Sequence, residues 1–376
     1  MSGIKKENDR YLKEQIITYI GNKRDFLSSI EKIILEVKQI LKKESLVTLD
    51  LFSGSGVVAR LLKSHSSLVI ANDLEKYSYV INDCYLSNYG DFDELLFNRY
   101  LNIIEENIIK ELKEGVITKY YAPKNDDDIT LGERVFYTRR NALYIDSFRY
   151  YLDIFVPDNL KKYFLGPLLY ECSVHVNTCG VFKGFYKDSK SGIGKFGGDG
   201  ENALSRIKGE IKVDKPVLSA FSCDYVLYME DATQLVERLK DIDLAYLDPP
   251  YNEHPYGSNY FMLNVILNNE EPKNISKISG IPKDWNRSTF NKKKEAFKSL
   301  EAIIGKLDAK FILLSYNDEG IISYEEMIEM LKKYGELKEF MFTYNTFRGS
   351  RNLNKRNVHT HEYLFLLDRR NELFTY

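Results

Sequence analysis

The sequence predicts an α/β protein: a mostly parallel sheet, an antiparallel C-terminal hairpin, and a mainly helical region inserted between the two halves of the sheet. Three observations carry this expectation. Strand-length apolar runs alternate with helical patterns near both ends of the chain, a glycine-rich turn follows the first strand, and the alternation lapses between residues 91 and 222.

Leu27 to Lys43 carries Ile30, Ile33, Ile34, Val37, Ile40 and Leu41 at helical spacing, an amphipathic helix suited to covering one sheet face. Ser45 to Phe52 is an apolar run with β-branched residues that stops at Ser53-Gly-Ser-Gly56, as a buried strand entering a tight turn does. Val57 to Lys63 then reads as a helix, Ser67 to Asp73 as a second strand ending in a carboxylate, and Tyr77 to Tyr89 as a second helix. In the inserted region, Phe97 to Leu112, Leu143 to Phe155 and Lys161 to Val176 are expected helices with no parallel strand between them. Its last stretch, Val181 to Lys215, has seven glycines and eight basic against five acidic residues, which suits a mobile, weakly basic surface segment. The alternation resumes with a strand at Asp243 to Leu247, a helix at Phe290 to Leu307, a strand at Lys310 to Leu314 and a helix at Tyr324 to Tyr334. Glu339 to Tyr344 and His361 to Leu367 pair as the closing hairpin. The sheet domain is therefore assigned to residues 1–90 and 223–376, and the insertion to 91–222.

Composition narrows the function classes. A chain of 376 residues holds two compact units, or one large unit with an insertion, at roughly 100–200 residues per domain. With 44% apolar and 13% aromatic residues it can bury a core, which excludes disordered and collagenous classes. A net charge of −2 means that any polyanionic partner must meet a local basic patch. Cys84, Cys172, Cys179 and Cys223 form no C-x-x-C pair, so neither a zinc ribbon nor a disulfide framework is expected, and a reducing compartment fits. The charged N-terminus and the lack of an apolar run of about 18 residues argue against secretion and membrane spanning. Five scattered histidines suggest no metal site.

Two turns carry chemistry. Phe52-Ser-Gly-Ser-Gly56 puts glycines where a backbone passes close to a bound group or takes positive φ, with a helix N-terminus beyond. Asp73, about 20 residues on at the end of the next strand, is placed to accept both hydroxyls of a ribose; an Asp capping a helix is the other reading. Leu247-Asp-Pro-Pro-Tyr251 says more. Its two prolines end the strand and remove two backbone donors, leaving carbonyl oxygens as acceptors beside a carboxylate and an aromatic ring. The amino group of adenine or cytosine offers two N–H donors on a flat ring, so Asp248 and the Pro249 carbonyl suit the donors and Tyr251 suits the ring face. A strand-ending turn with a core tyrosine is the alternative.

Together, Tyr19-Ile-Gly-Asn-Lys23, Leu49-Asp-Leu-Phe-Ser-Gly-Ser-Gly56, Asn72-Asp73 and Asp248-Pro-Pro-Tyr251 resemble the adenine-specific DNA methyltransferases that use S-adenosyl-L-methionine. The order resembles their alpha-type arrangement, with target recognition between the cofactor half and the catalytic loop. Asn177-Thr-Cys-Gly-Val-Phe-Lys183, Pro255-Tyr-Gly-Ser-Asn-Tyr260, Ser315-Tyr-Asn-Asp-Glu-Gly320 and Arg348-Gly-Ser-Arg351 resemble the restriction-modification branch, to which the Dam-like methylases are related.

The resemblance implies a Rossmann-like methyltransferase sheet whose insertion recognises DNA. It implies methyl transfer from S-adenosyl-L-methionine to the exocyclic amino group of a flipped adenine in double-stranded DNA, without a metal. Cofactor contacts are implied at Tyr19, Lys23, Asp50, Phe52, Ser53, Gly54, Gly56, Asp73, Asp231 and Asp248, and catalytic contacts at Asp248, Pro249, Pro250 and Tyr251. This chain has Gly21-Asn22 where family members often carry two glycines before the lysine. A separately encoded restriction endonuclease would be the functional partner, in the nucleoid-associated cytoplasm of a prokaryotic cell.

Charge adds candidates for DNA contact. Thr346 to Thr360 holds Arg348, Arg351, Lys355 and Arg356 and no acid, and Lys283 to Lys298 has six basic against two acidic residues. Either can meet phosphates, or be a solvated face. Lys183, Lys187, Tyr256 and Asn259 complete the expected DNA-binding set. The rival readings are cytosine amino methylation, an RNA or protein-amide methyltransferase of the same fold, and a non-catalytic binding protein.

Overall fold

The computed structural model describes residues 7–253, 255–345 and 359–370. Helices α1 (Asp9–Lys13) and α2 (Leu27–Leu41) precede β1 (Leu46–Asp50), α3 (Val57–Lys63), β2 (Ser66–Asn72) and α4 (Lys76–Tyr85). The inserted region supplies α5 (Glu94–Lys110), α6 (Val116–Tyr120), α7 (Arg139–Phe155), α8 (Asp158–Val174) and α9 (Leu204–Lys208). The sheet resumes with β3 (Asp224–Tyr228), α10 (Ala232–Leu235) and β4 (Ile242–Leu247), followed by α11 (Tyr256–Asn259) and α12 (Phe261–Asn268). Then come α13 (Ala296–Lys306), β5 (Ala309–Asn317), α14 (Tyr324–Leu331), β6 (Glu336–Asn345) and β7 (His359–Asp368).

The seven strands run in the order β3-β2-β1-β4-β5-β7-β6. Neighbours are parallel from β3 through β5, and β7 lies antiparallel to both β5 and β6. This is the expected mixed sheet with its hairpin edge.

Period-2 alternation sorts the central strands between two apolar layers. Leu244 and Tyr246 of β4, with Phe311 and Leu313 of β5, face α2 and α3. Ala245 and Leu247, with Ile312 and Leu314, face α10, α13 and α14. Each fully buried aliphatic side chain contributes roughly 1.5–3 kcal/mol, so both faces must be covered, and the near-continuous apolar reading of β4 and β5 follows.

The inserted helices share one core with the sheet's own helices. Phe97, Ile104, Phe148 and Leu168 pack in the cluster that holds Tyr77, Ile81 and Tyr85 of α4 and the apolar face of α12. Gly166 makes the α4–α8 approach possible: a Cβ there would fall 2.6 Å from Cys84 Sγ.

The sequence reading does not anticipate α12 (Phe261–Asn268), and three further features differ from it. β3 was not anticipated; as an edge strand paired only with β2, it is half-exposed and carries no clean alternation. The helix expected from Phe290 begins at Ala296, after a short 3-10 turn at Thr289–Asn291 capped by Ser288. Val181 to Lys215 is packed rather than loose. Phe182, Phe185 and Phe196 are buried, and Asn177 clamps the segment, donating Nδ2 to the carbonyls of Val135 (2.8 Å) and Lys195 (3.3 Å) and accepting from Gly197 N (3.0 Å). Among the described residues no helix is long and apolar enough to cross a membrane.

Candidate active site

Strand order reverses between β1 and β4, and open α/β sheets bind ligands beyond the C-terminal ends of such strands. The register pairs Asp50, the last residue of β1, with Tyr246 of β4, so Asp248 emerges two residues further along the same edge. Asn72 draws the neighbouring ends together, donating Nδ2 to the carbonyls of Leu51 (3.1 Å) and Glu230 (3.2 Å). Gly54 (φ +49°) turns the backbone beneath Tyr19, where a Cβ would fall 2.9 Å from the ring. Its N–H donates to Asp73 Oδ2 at 2.7 Å, and Asp73 Oδ1 accepts from Glu75 N at 2.9 Å.

These turns wall a cleft of about 910 Å³, counting its open mouth, a size suited to a cofactor. Tyr19, Lys23, Asp50, Phe52, Ser53 and Gly54 line it from the N-terminal half, and Asp73, Asp231, Asp248, Pro250 and Tyr256 from the later turns. Asp231 also caps α10, accepting from Thr233 N at 2.9 Å. Gly56 stands behind the wall as the N-cap of α3 (φ +76°), and Pro249 is buried.

Charge is concentrated at the floor. The ammonium of Lys23, itself buried, meets Asp248 Oδ2 at 2.9 Å, Glu362 Oε1 at 3.2 Å and the Gly21 carbonyl at 3.0 Å. Burial works against that ammonium, but Asp248 and Glu362 hold it well above the ordinary lysine range. Asp248 is pushed up to about 6 by burial, with Lys23 opposing the rise and Glu362 adding to it. Its Oδ1 is buried without a hydrogen-bond partner, and so are both oxygens of Asp50. Burial, then the charges of Asp248 and Asp73, drive Asp50 well above the carboxylate range. Buried acceptors without donors are costly, by roughly 1–3 kcal/mol each, so this floor is built for a ligand that brings N–H groups or positive charge.

Aromatic rings form the adjoining wall. Tyr19 packs against Tyr256 (5.0 Å, 14°) and Tyr260 (4.5 Å, 23°), whose own rings lie 6.0 Å apart. At Gly21 (φ +74°) a Cβ would lie 3.0 Å from the Tyr251 hydroxyl and 3.6 Å from that of Tyr256, so glycine lets the two tyrosines converge beside Asp248. Tyr251 also meets Tyr316 edge-on at 6.2 Å. A planar ring with an amino edge fits such a wall and floor.

The other expected contacts are more scattered. Asn259 is buried, and its carbonyl accepts from Phe182 N at 2.7 Å, which fixes the segment bearing Lys183 beside the turn after Tyr251. Lys183 is exposed and Lys187 lies over the Phe185 ring at 4.9 Å; neither lines the cleft. Arg348, Arg351, Lys355 and Arg356 lie outside the described residues. In the basic stretch, Arg287 stacks on Trp285 at 4.4 Å, and Asn291 Nδ2 donates to the Asn252 carbonyl at 2.8 Å, tying this stretch to the proline turn.

Sequence reasoning missed Glu75, Asn286, Ser288 and Phe290, which also line the cleft, and Glu362 beneath it. Glu75 is pushed up to about 7 by burial and by the charge of Asp73. Its position two residues past Asp73 was the available signal. The loop bearing Asn286 has no periodicity to read.

A family model described as D12 class N6 adenine-specific DNA methyltransferase matches residues 19–330. Type II methyltransferase M.NlaIII of Neisseria lactamica is 29% identical over 363 residues, covering 94% of this chain and 99% of that protein. Type II methyltransferase M.CviAII of Paramecium bursaria Chlorella virus 1 is 28% identical over 360 residues, covering 93% and 98%. Type II methyltransferase M.FokI of Planomicrobium okeanokoites is 26% identical over 363 residues, covering 93% of this chain and 52% of that longer protein.

Proposed function

The chain belongs to the D12 class of N6 adenine-specific DNA methyltransferases, and from that premise we propose how its cleft divides the work. It methylates adenine in DNA as a type II modification enzyme. Asp50 would hold the ammonium group of S-adenosyl-L-methionine in the cleft, Asp73 and Glu75 its ribose hydroxyls, and Phe52 its adenine. The unpartnered buried oxygens of Asp50 and the space kept by Gly54 are what make these residues fit that molecule. When bound, it supplies an electrophilic sulfonium methyl group.

The target adenine leaves the duplex, at a cost of a few kcal/mol, and its ring lies against Tyr251 and Tyr256. Its amino nitrogen is a poor nucleophile because the lone pair is delocalised into the ring. Asp248 Oδ1 accepts one N–H and the Pro249 carbonyl the other, which localises the pair and aims it. As the N6–methyl bond forms, the methyl–sulfur bond breaks with its electron pair left on sulfur; the charge that builds on nitrogen is stabilised by the Asp248 carboxylate, through which the surplus N6 proton passes to solvent. Residues 1–90 and 223–376 perform this chemistry, and 91–222 recognises double-stranded DNA, held rigidly by the core it shares with α4. A separately encoded endonuclease reading the same site is the expected partner, in a prokaryotic cytoplasm.

The observation that carries this reading is the unpartnered Asp248 Oδ1 beside the converging tyrosines, in one cleft with Asp50. Incubating the purified protein with methyl-labelled S-adenosyl-L-methionine and duplexes whose only amino bases are adenine or cytosine tests it. Label confined to adenine supports the reading; label on cytosine alone overturns it.

Two further outcomes are expected. Asp248 must be ionised to accept, and in the unliganded cleft it sits at about 6, so kcat/KM for DNA should be level above about pH 7 and fall close to tenfold per pH unit below 6. A profile flat down to pH 5 would exclude this group. Gly54→Val needs the space of the Tyr19 ring and a φ of +49° that valine resists. It should weaken S-adenosyl-L-methionine binding by at least about tenfold in calorimetry, with an unchanged far-UV CD spectrum. Undiminished affinity would place the cofactor elsewhere.

A further inference from the structure

Glu362 lies on β7, far along the chain from every motif that carries the chemistry, and is buried. Its Oε1 meets Lys23 Nζ at 3.2 Å and accepts from Ser315 Oγ of β5 at 2.5 Å. Ser315 is itself fully buried. An ammonium has three N–H donors, and those of Lys23 are all engaged: one by Asp248 Oδ2, one by Glu362, one by the Gly21 carbonyl. That leaves Oδ1 of Asp248 free.

We infer that Glu362 is a positioning residue for methyl transfer: by engaging one face of the Lys23 ammonium, it keeps that ammonium from satisfying Asp248 completely and so preserves Oδ1 as an acceptor for the adenine amino group. The inference rests on the role proposed above for Asp248. Without the Glu362 charge, at most a neutral oxygen holds that side of the ammonium, and Asp248 is the anion left to draw it. The ammonium can then turn toward Asp248 and engage both carboxylate oxygens, which removes the acceptor that the reaction needs.

Electrostatics points the same way. Asp248 is faced by Lys23 from the N-terminal turn, Asp50 from β1, Tyr246 from β4, Tyr251 and Tyr256 from the turn and helix that follow, and Glu362 from β7. Glu362 raises its basicity where Lys23 depresses it. With Glu362 present the trio carries one net negative charge; without it, a neutral pair remains, which is a weaker acceptor. Ser315, two positions along the ladder on the neighbouring strand, fixes the carboxylate that does this.

The test is Glu362→Gln in the full-length protein, an isostere that keeps a hydrogen-bonding oxygen for Ser315 and loses the charge. The expected result is a kcat lower by roughly tenfold, Michaelis constants for DNA and S-adenosyl-L-methionine within about twofold of the wild type, and an acid limb of kcat/KM moved about half to one unit toward lower pH. Glu362→Asp should recover part of kcat and return the limb. Wild-type kcat with an unmoved limb overturns the inference. If Glu362→Gln does not fold, Ser315→Ala decides: it keeps the charge but frees the carboxylate, so kcat should fall several-fold with the limb unmoved, and an unchanged kcat overturns it. Asp248→Ala, assayed alongside, separates the two ideas. An active Asp248→Ala, which has no acceptor at that position, sinks the acceptor role itself, whereas an inactive one beside a wild-type-like Glu362→Gln sinks only the part given to Glu362.

Discussion

Asp248→Ala is expected to lower kcat by about 10³-fold or more while duplex DNA affinity stays within about threefold of wild type. The side chain is largely buried at the floor of the cleft, away from any surface that phosphates would reach, so its loss removes chemistry rather than docking. Its Oδ1 has no partner in the protein, which means that its hydrogen bond is held for the substrate. Alanine removes that acceptor and leaves Lys23 and Glu362 as a neutral pair, so the net negative charge that offsets the positive charge developing on N6 is gone. Both changes act in the transition state, and kcat rather than KM should carry the loss. Single-turnover methylation at saturating DNA and S-adenosyl-L-methionine reads this directly. Turnover within tenfold of wild type would remove Asp248 from the reaction.

What the sequence disclosed, and what it withheld, divide along chain distance. Leu247-Asp-Pro-Pro-Tyr251 is legible because five consecutive residues define the end of a buried strand, the loss of two donors and the chemistry left exposed there. The glycine turn and Asp73 are legible for the same reason, each being a local departure from a strand pattern. The Lys23, Asp248 and Glu362 cluster is not, because three strands of the sheet must assemble before residues from both ends of the chain meet. Glu362 leaves only a faint trace, an acid within the apolar strand pattern of His361 to Leu367. α12 was missed for a different reason. Six of its eight residues, Phe261 to Leu263 and Val265 to Leu267, are buried, so only Asn264 and Asn268 mark a polar side and the periodicity by which helices are read is faint. β3 sits at the opposite limit, an edge strand so half-exposed that burial imposes little pattern on it.

Lys23→Met should produce the second large effect, opposite in sign to that of Glu362→Gln. Lys23 is the cation that joins two buried carboxylates, and methionine fills a similar volume without charge. Asp248 and Glu362 would then repel each other in a poorly solvated site, and the pair would retain a proton to higher pH than Asp248 does now. With the proton on the pair, the acceptor is occupied. The acid limb of kcat/KM should move upward by about one to two pH units, so activity drops roughly two- to tenfold at pH 7 and recovers toward pH 9. Stability should follow the same titration. A carboxyl whose folded value is raised above its unfolded value of about 3.9 binds more protons folded than unfolded in that interval, so stability falls as pH rises through it. Above it the full penalty of the unpaired buried charges applies, about 3–5 kcal/mol. Thermal melts of the variant should therefore diverge from wild type as pH increases and converge toward pH 4. Glu362→Gln removes an anion and moves the limb down; Lys23→Met removes the cation and moves it up. If Lys23→Met is instead inactive at every pH, with a melting curve that tracks wild type, then Lys23 acts through contact with the cofactor, and the charge balance of the trio is not what governs Asp248.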